Sequence, residues 1–257
     1  MNTLKHHTCH AVTKVPAITA FFWIIKVLTT GMGETTSDFL VHQFAPIIAI
    51  VLGGIGFVIS LVFQFSARRY NAWIYWFAVV MVSVFGTMAA DVLHVGIGIP
   101  YIVSTVFFTI SLATVFILWS RSEKTLSIHS IYTTRREMFY WATVLITFAL
   151  GTAAGDMTAV SLHLGYFNSG ILFAGIIAIP IVGYVFFGLN EIAAFWFAYI
   201  VTRPLGASFA DWMGVSTARG GLGWGTGSVS LGLALIIFGF VGYLALTRKD
   251  AEHISQV

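Results

Sequence analysis

The chain has 257 residues, of which 58% are hydrophobic and 9% are charged, and its formal net charge is +3 at pH 7. A soluble domain carries about a quarter charged residues, so this composition excludes a soluble globular protein and favours one that lipid covers. The basic residues lie between apolar runs, which excludes a nucleic-acid partner. The single cysteine, Cys9, excludes an intramolecular disulfide.

Eight apolar segments long enough to cross a bilayer follow one another along the chain. They cover residues 17–40, 46–66, 73–95, 100–119, 138–162, 169–189, 192–213 and 227–247. The pattern predicts an all-α polytopic membrane helix bundle, with one transmembrane domain at 17–247 between tails at 1–16 and 248–257. The first run contains Lys26 and has no small-residue cleavage site, which indicates a retained helix and not a signal peptide.

The distribution of Lys and Arg predicts the orientation of the chain. Both tails and the second and fourth connections carry basic residues, whereas the first, third and fifth connections carry none and the seventh has only Arg219. By the positive-inside rule, both termini of this multi-pass protein are expected to be cytoplasmic.

Four segments of the chain align without a gap. In each, an aromatic residue precedes a Trp, a Gly follows that Trp by ten residues, and an Asp follows it by fifteen. The copies are Phe22-Trp23, Gly33, Asp38; Tyr75-Trp76, Gly86, Asp91; Tyr140-Trp141, Gly151, Asp156; and Phe195-Trp196, Gly206, Asp211. They define two-helix repeats at about 17–70, 71–122, 136–190 and 191–247. The repeats enter the membrane in the same direction, which predicts pseudo-symmetric packing of the four odd-numbered spans around a shared centre.

These motifs resemble a bacterial membrane protein family of four tandem two-helix repeats of unknown function, each with a characteristic Trp. The resemblance covers residues from about 15 to 250 and rests on Trp23, Trp76, Trp141 and Trp196 with the matching Gly and Asp positions. It implies the architecture and a location in the bacterial inner membrane, and it implies no activity.

Intramembrane charges are the main candidates for a functional site. The aromatic pair that opens each odd-numbered span is expected to anchor it at the cytoplasmic interface, where Trp and Tyr concentrate. Counting about 1.5 Å per residue from each Trp places the four Asp about 22 Å into a core about 30 Å thick. The same count places Lys26 about 5 Å from that interface, which its side chain could reach. A carboxylate at that depth costs several kcal/mol unless it is paired, hydrated or protonated. The acidic set outnumbers the basic one, so a cation or shared protons are expected to complete the charge balance, with Arg203 as an internal counter-charge. The predicted ion-binding residues are Glu34, Asp38, Asp91, Asp156, Asp211 and Arg203.

Histidines near three of the Asp residues are candidate metal ligands. They are His42, His94 and His163, which follow their Asp by four, three and seven residues. Carboxylate with imidazole suits Mn, Zn, Fe or Ni better than Ca. The same pairs suit a proton relay, and a third interpretation places these histidines in water at the outer interface. A second candidate for metal contact is the N-terminal tract His6-His7-Thr8-Cys9-His10.

The leading hypothesis is a secondary transporter, not an enzyme, that moves a small cation in exchange for protons. A divalent transition metal ion is favoured over a monovalent ion as substrate, export is one direction considered, and no resident cofactor is predicted. The alternatives are a structural or sensory membrane subunit held together by an Asp–Arg network, and a membrane redox protein with haem between the histidines.

Overall fold

The computed structural model describes residues 13–250, and every regular element among them is a helix. The α-helices are α1 (Ala20–Gln43), α2 (Pro46–Ser66), α3 (Ala72–Asp91), α4 (Tyr101–Glu123), α5 (Thr134–Asp156), α6 (Gly165–Ile176), α7 (Ala178–Phe187), α8 (Glu191–Gly214) and α9 (Thr226–Thr247). Turns of π-helix extend α3 through Val92–Gly96 and α5 through Met157–Ser161. Short 3₁₀ turns occur at Ile128–Ser130 and Thr217–Arg219. The all-α class is confirmed.

The predicted spans correspond to these helices. Within the described residues, seven helical segments are long and apolar enough to cross a membrane. The remaining predicted span, α1, is not among these seven, because its 24 residues include Lys26, Glu34 and Asp38 and are less apolar. The predicted sixth span is divided into α6 and α7, because Pro180 has no N–H to bond the carbonyl of Ile176 one turn earlier.

Four helices form a closed ring at the centre of the bundle. Helix α1 packs on α3, α3 on α5, α5 on α8, and α8 on α1, which confirms the predicted packing of the odd-numbered spans around one axis. Each remaining helix packs on the ring helix of the following repeat, so that α2 contacts α3, α4 contacts α5, α6 and α7 contact α8, and α9 contacts α1. The repeats are therefore interlocked in a cycle, and no repeat is a separate packing unit.

Burial separates the ring from the outer helices. In the spans of α3, α5 and α8, 56%, 67% and 61% of the apolar window is buried. The corresponding share is 17% to 22% in the outer spans, whose long apolar side chains face outward. The outer helices therefore present the surface that contacts lipid.

The repeated glycines bring neighbouring ring helices into close contact. A Cβ added at Gly33 would lie 1.7 Å from Ser83 Oγ, at Gly86 2.6 Å from Phe148 Cβ, at Gly151 2.2 Å from Arg203 Cβ, and at Gly206 2.7 Å from Thr30 Cγ2. Each partner lies in the following repeat, eight residues after the aromatic residue that opens it. The recurring Gly is therefore a helix-packing position.

The repeated aromatic pairs pack against one another and not against lipid. The ring of Phe or Tyr in each repeat contacts the aromatic pair of the next, with centroids 5.8 Å apart for Phe22–Trp76, 5.7 Å for Tyr75–Trp141, 6.3 Å for Tyr140–Trp196 and 5.6 Å for Phe195–Trp23. All of these side chains except Trp23 are buried. We call these eight residues the aromatic belt. Their expected role as interfacial anchors is wrong, because each pair fills the gap between two ring helices.

The N-terminal segment covers the belt end of the ring. Lys14 Nζ lies 2.7 Å from Glu137 Oε2, and Val15 is buried in the core cluster that contains the belt. The backbone N–H of Ala17 donates to the carbonyl of Asp250 over 2.8 Å. Residues 13–17 therefore pack against the bundle instead of belonging to a free tail. The His/Cys tract at residues 6–10 lies outside the described residues.

Candidate functional site

The side chains that contact one another between ring helices fall mainly on one set of positions, which we call axial. They recur every fourth residue, counted from the Phe or Tyr of the belt in each ring helix. In α1 the axial residues are Phe22, Lys26, Thr30, Glu34 and Asp38; in α3 they are Tyr75, Val79, Ser83, Thr87 and Asp91; in α5 they are Tyr140, Val144, Phe148, Thr152 and Asp156; in α8 they are Phe195, Tyr199, Arg203, Ala207 and Asp211. Four residues make slightly more than one helical turn, so each set forms a stripe that rises in steps of about 6 Å and winds gradually around its helix.

Glu34 lies on the axis between three repeats. Its Oε2 accepts hydrogen bonds from Thr152 Oγ1 at 2.9 Å and from Thr87 Oγ1 at 3.1 Å. The two hydroxyls are 3.2 Å apart, and both threonines occupy the position of Glu34 in their own repeats. The fourth repeat has Ala207 there. This layer therefore holds one buried carboxyl group with hydroxyl donors from the two following repeats.

The four Asp residues form the next layer, which we call the Asp layer. Electrostatic interactions join the carboxyl group of Asp91 to Asp156 and Asp38, and that of Asp211 to the other three. Asp211 is buried, whereas the other three are half-buried. The Asp layer therefore meets solvent at the end of the ring opposite the aromatic belt.

Only one predicted histidine joins the Asp layer. Three possible metal ligands meet here, because one ligand atom from each of Asp91, His94 and Asp156 lies within 4.8 Å of the other two. Among the described residues this is the one group of three His, Cys, Asp or Glu residues with such spacing. His42 is exposed, and its Nδ1 lies 2.6 Å from the backbone oxygen of Asp38. His163 is also exposed, in a left-handed conformation with φ of 55° after the π turn. The structure brings neither of these two into the cluster.

Comparison with protein families divides the chain into the same four repeats. The model of the family described as Repeat of Unknown Function (DUF347) matches residues 21–70, 74–125, 139–189 and 194–250. The chain belongs to the DUF347 repeat family. The expected resemblance is confirmed, and no curated protein and no solved structure matches the chain. Each matched DUF347 repeat contains one ring helix and the outer helix that follows it, which in the third repeat is divided into α6 and α7.

Two cationic side chains lie on the axis between the belt and Glu34. Arg203 Cζ is 3.3 Å from the ring centroid of Phe148, and its Nη1 donates to Ser83 Oγ at 3.3 Å. Lys26 Nζ is 4.1 Å from the same ring centroid and 3.9 Å from that of Tyr199. Both side chains are buried, and Lys26 Nζ, Arg203 Nε and Arg203 Nη2 have no hydrogen-bond partner. Aromatic faces, not carboxylates, hold these cations.

The position of Lys26 differs from the expectation that it could extend to the membrane interface. Its side chain is 1% exposed, because position 26 lies on the axial stripe, four residues after Phe22 and eight before Glu34. In this DUF347 chain the axis therefore carries a cationic layer on one side of Glu34 and an acidic layer on the other.

Arg219 lies beside the Asp layer, although its place in the sequence predicts only the orientation of the chain. Its Nη2 donates to Tyr166 Oη at 2.9 Å, and its charge interacts with Asp38 and Asp211. Tyr166, followed by these carboxylates, raises the pKa of Arg219 above its usual value. The sequence does mark this residue, because Arg219 is the single Lys or Arg in the odd-numbered connections.

The connection that carries Arg219 is folded back onto the end of α8. Leu222 N donates to the carbonyl of Trp212 at 2.7 Å, and Gly223 N donates to that of Val215 at 2.8 Å. A Cβ at Gly221 would lie 2.3 Å from the oxygen of Val215, so only glycine fits there. The folded-back connection holds Arg219 beside the solvent-facing end of the Asp layer.

Proposed function

We propose that this DUF347 protein is a secondary transporter, and not an enzyme, that exchanges a divalent transition metal ion for protons across the bacterial inner membrane. The observation that carries the proposal is the convergence of five carboxyl groups on one axis, Glu34 and the Asp layer. The cations of the same axis, Lys26 and Arg203, lie on aromatic rings in a separate layer. Among the described residues neither cation forms a close ion pair with the acidic groups, although the charges of Arg203 and Glu34 attract each other.

The charge balance of the axis supports exchange between a metal ion and protons. Several carboxylates close together in a medium of low dielectric constant cannot all be ionised without counter-ions. Protons can neutralise them, and so can a divalent cation that binds to the ionised forms. An ion that enters the Asp layer therefore releases protons, and this competition couples the two fluxes.

The two ends of the ring support a transporter and not an open channel. The aromatic belt and the segment at residues 13–17 close one end, which is cytoplasmic by the predicted orientation. The Asp layer at the other end is half-buried. A site in the outer half of the membrane that is open to one side and closed to the other fits alternating access between repeats.

The alternative functions have less support from the contacts. An Asp–Arg network that only holds the bundle together needs hydrogen bonds from Arg to Asp, whereas among the described residues Arg203 donates to Ser83 and Arg219 donates to Tyr166. The charge of Arg219 does interact with Asp38 and Asp211, but at the edge of the Asp layer. A haem between histidines needs at least two of them on facing helices, whereas His42 and His163 are exposed. We therefore favour transport over both.

Flux through reconstituted protein tests the proposal. We expect wild-type protein in liposomes to move Mn²⁺ or Zn²⁺ and to move protons in the opposite direction, as read by entrapped metal- and pH-sensitive dyes. Asp156→Asn should slow both fluxes by about tenfold or more, because it removes a ligand and an exchangeable proton. Glu191→Gln, an acid-to-amide change at an exposed helix start, is the matched control. Equal fluxes in Asp156→Asn and wild type would contradict the proposal.

Arg219 gives a second test of the same site. Its positive charge lies beside carboxylates that would bind the metal ion, so Arg219→Gln should tighten binding of a divalent cation by about two- to tenfold, the range for a partly screened unit charge. The measurement is calorimetric titration at low and high salt, and the gain should shrink at high salt. Arg248→Gln, a loss of charge after α9, should leave the affinity unchanged. Weaker binding in Arg219→Gln would mean that Arg219 shapes the site and does not oppose the ion.

A further inference from the structure

The hydrogen bonds around His94 determine which of its ring nitrogens carries the proton. His94 Nε2 lies 2.5 Å from Ser104 Oγ, and that hydroxyl donates to the backbone oxygen of Tyr101 at 3.0 Å. A serine hydroxyl has one proton, so Ser104 Oγ must accept at its other contact. Nε2 therefore carries the proton, and Nδ1 of the neutral ring holds a free lone pair.

This lone pair is buried and has no partner. The His94 side chain is 7% exposed, and Nδ1 has no hydrogen-bond partner. A buried acceptor without a donor costs about 1–3 kcal/mol, so such atoms are rare in folded proteins. The ring is also fixed by Tyr101, whose centroid lies 4.4 Å from that of His94. The fixed ring and the unused lone pair indicate that Nδ1 serves something other than the fold.

We infer that Asp91, His94 and Asp156 are the protein ligands of a divalent transition metal ion, bound between the second and third repeats. Their ligand atoms lie within 4.8 Å of one another, so one ion can contact all three after small side-chain movements. A ligating histidine commonly donates its other N–H to an oxygen, which is what Nε2 does at Ser104. The inference rests on the proposed function and names the protein ligands that hold the metal ion in that site.

The nitrogen ligand selects the class of metal ion. Two carboxylates and an imidazole suit Mn²⁺, Fe²⁺, Co²⁺ or Zn²⁺, which accept mixed nitrogen and oxygen ligands. Ca²⁺ and Mg²⁺ prefer sites made of oxygen atoms alone. The site also leaves coordination positions for water and for the nearby carboxyl group of Asp38, whose charge interacts with Asp91.

The site is specific to one side of the ring. Its histidine lies on the π turn Val92–Gly96, which directly follows Asp91 and turns the chain toward Ser104 of α4. In the first repeat the corresponding histidine, His42, is exposed, and in the fourth repeat Trp212 follows Asp211. The fourfold arrangement of carboxyl groups therefore supports one nitrogen-containing site and not four.

Calorimetric titration of the purified full-length protein with Zn²⁺, Mn²⁺ and Ca²⁺ tests the inference. His94→Gln should weaken binding of Zn²⁺ and Mn²⁺ by about tenfold or more and should change binding of Ca²⁺ by about threefold or less. The matched control is His163→Gln, which changes an exposed histidine of the next repeat and should leave all affinities as in wild type. His94→Gln with wild-type affinity for Zn²⁺, or His163→Gln with the same loss, would overturn the assignment.

Two further measurements keep the test decisive. The same titrations in a chain that combines His6→Ala, His7→Ala, Cys9→Ala and His10→Ala remove any contribution of the N-terminal His/Cys tract. X-ray absorption of Zn²⁺ bound to that chain should show one imidazole nitrogen with oxygen ligands, and this readout does not depend on the folding of a His94 variant. A spectrum without imidazole would overturn the assignment. Flux without imidazole ligation would refute the site alone, whereas imidazole ligation without flux would refute transport alone.

Discussion

Replacement of Lys14 by Ala is expected to lower the free energy of unfolding by about 3–5 kcal/mol, the range for a buried ion pair that loses one partner. The side chain of Glu137 is 0% exposed, and its two oxygens bond to Lys14 Nζ at 2.7 Å and to Gln64 Nε2 at 2.9 Å. Without Lys14, the carboxylate keeps one neutral donor and no cation. This uncompensated buried charge then has to draw in water or separate the helices around it.

Unfolding of the purified protein in mixed micelles of mild detergent and dodecyl sulfate measures this loss. The matched control is Arg135→Ala, since Arg135 also pairs with a glutamate, Glu123, at 3.4 Å but is 68% exposed. Glu123 keeps Arg136 at 2.9 Å, so the control should show little or no change. The double variant Lys14→Met, Glu137→Leu removes both charges and should recover much of the stability. A loss for Lys14→Ala no larger than that for Arg135→Ala would contradict the buried-pair interpretation.

The ring could be predicted from the sequence because the spacing in the repeats is constant. An identical interval from Trp to Gly to Asp in four parallel spans places equivalent residues at one depth and on one helix face. The hydrogen bonds from Thr87 and Thr152 to Glu34 are the direct result, since all three occupy one position of the repeat. The packing of each outer helix on the following repeat could not be predicted in this way. The outer helices are apolar on all sides, so the sequence does not indicate which neighbour they contact.

The positions of Lys26 and the aromatic belt show where the average preference of a residue type for the membrane interface fails as a guide. The general preference of Trp and Tyr for the interface, and the short distance of Lys26 from it, predict an interfacial position for Lys26 and the aromatic belt. Their spacing contained the contrary signal, since Phe22, Lys26, Glu34 and Asp38 follow one another at multiples of four. The environment of His94 had no such signal, because it depends on a π turn and on Ser104 of a different helix. A site built from contacts between elements requires the structure.

The close approach of ring helices predicts a large effect for a single methyl group. We expect Gly151→Ala to lower the free energy of unfolding by about 1–3 kcal/mol, the usual cost of overpacking. The added Cβ would lie 2.2 Å from Arg203 Cβ and 3.2 Å from Arg203 Cα, so α5 and α8 would have to separate. The cost should exceed the gain of about 1 kcal/mol that Ala brings to a helix interior. Because Arg203 Cζ lies on the ring of Phe148, the same change should also disturb the cationic layer.

Two glycines provide the controls for this prediction within the same chain. Gly155 lies one turn after Gly151 on α5, and a Cβ there would meet its nearest atom, Ser208 Oγ, at an ordinary 3.6 Å. Gly232 on the outer helix α9 has nothing within 4 Å of an added Cβ. Gly155→Ala and Gly232→Ala should therefore be neutral or stabilising by up to about 1 kcal/mol in the same unfolding measurement. Equal destabilisation of all three variants would mean that flexibility of glycine, and not contact between neighbouring repeats, sets their effect. A loss confined to Gly151→Ala would support the interlocked ring as the source of stability, because the methyl group acts where two repeats touch.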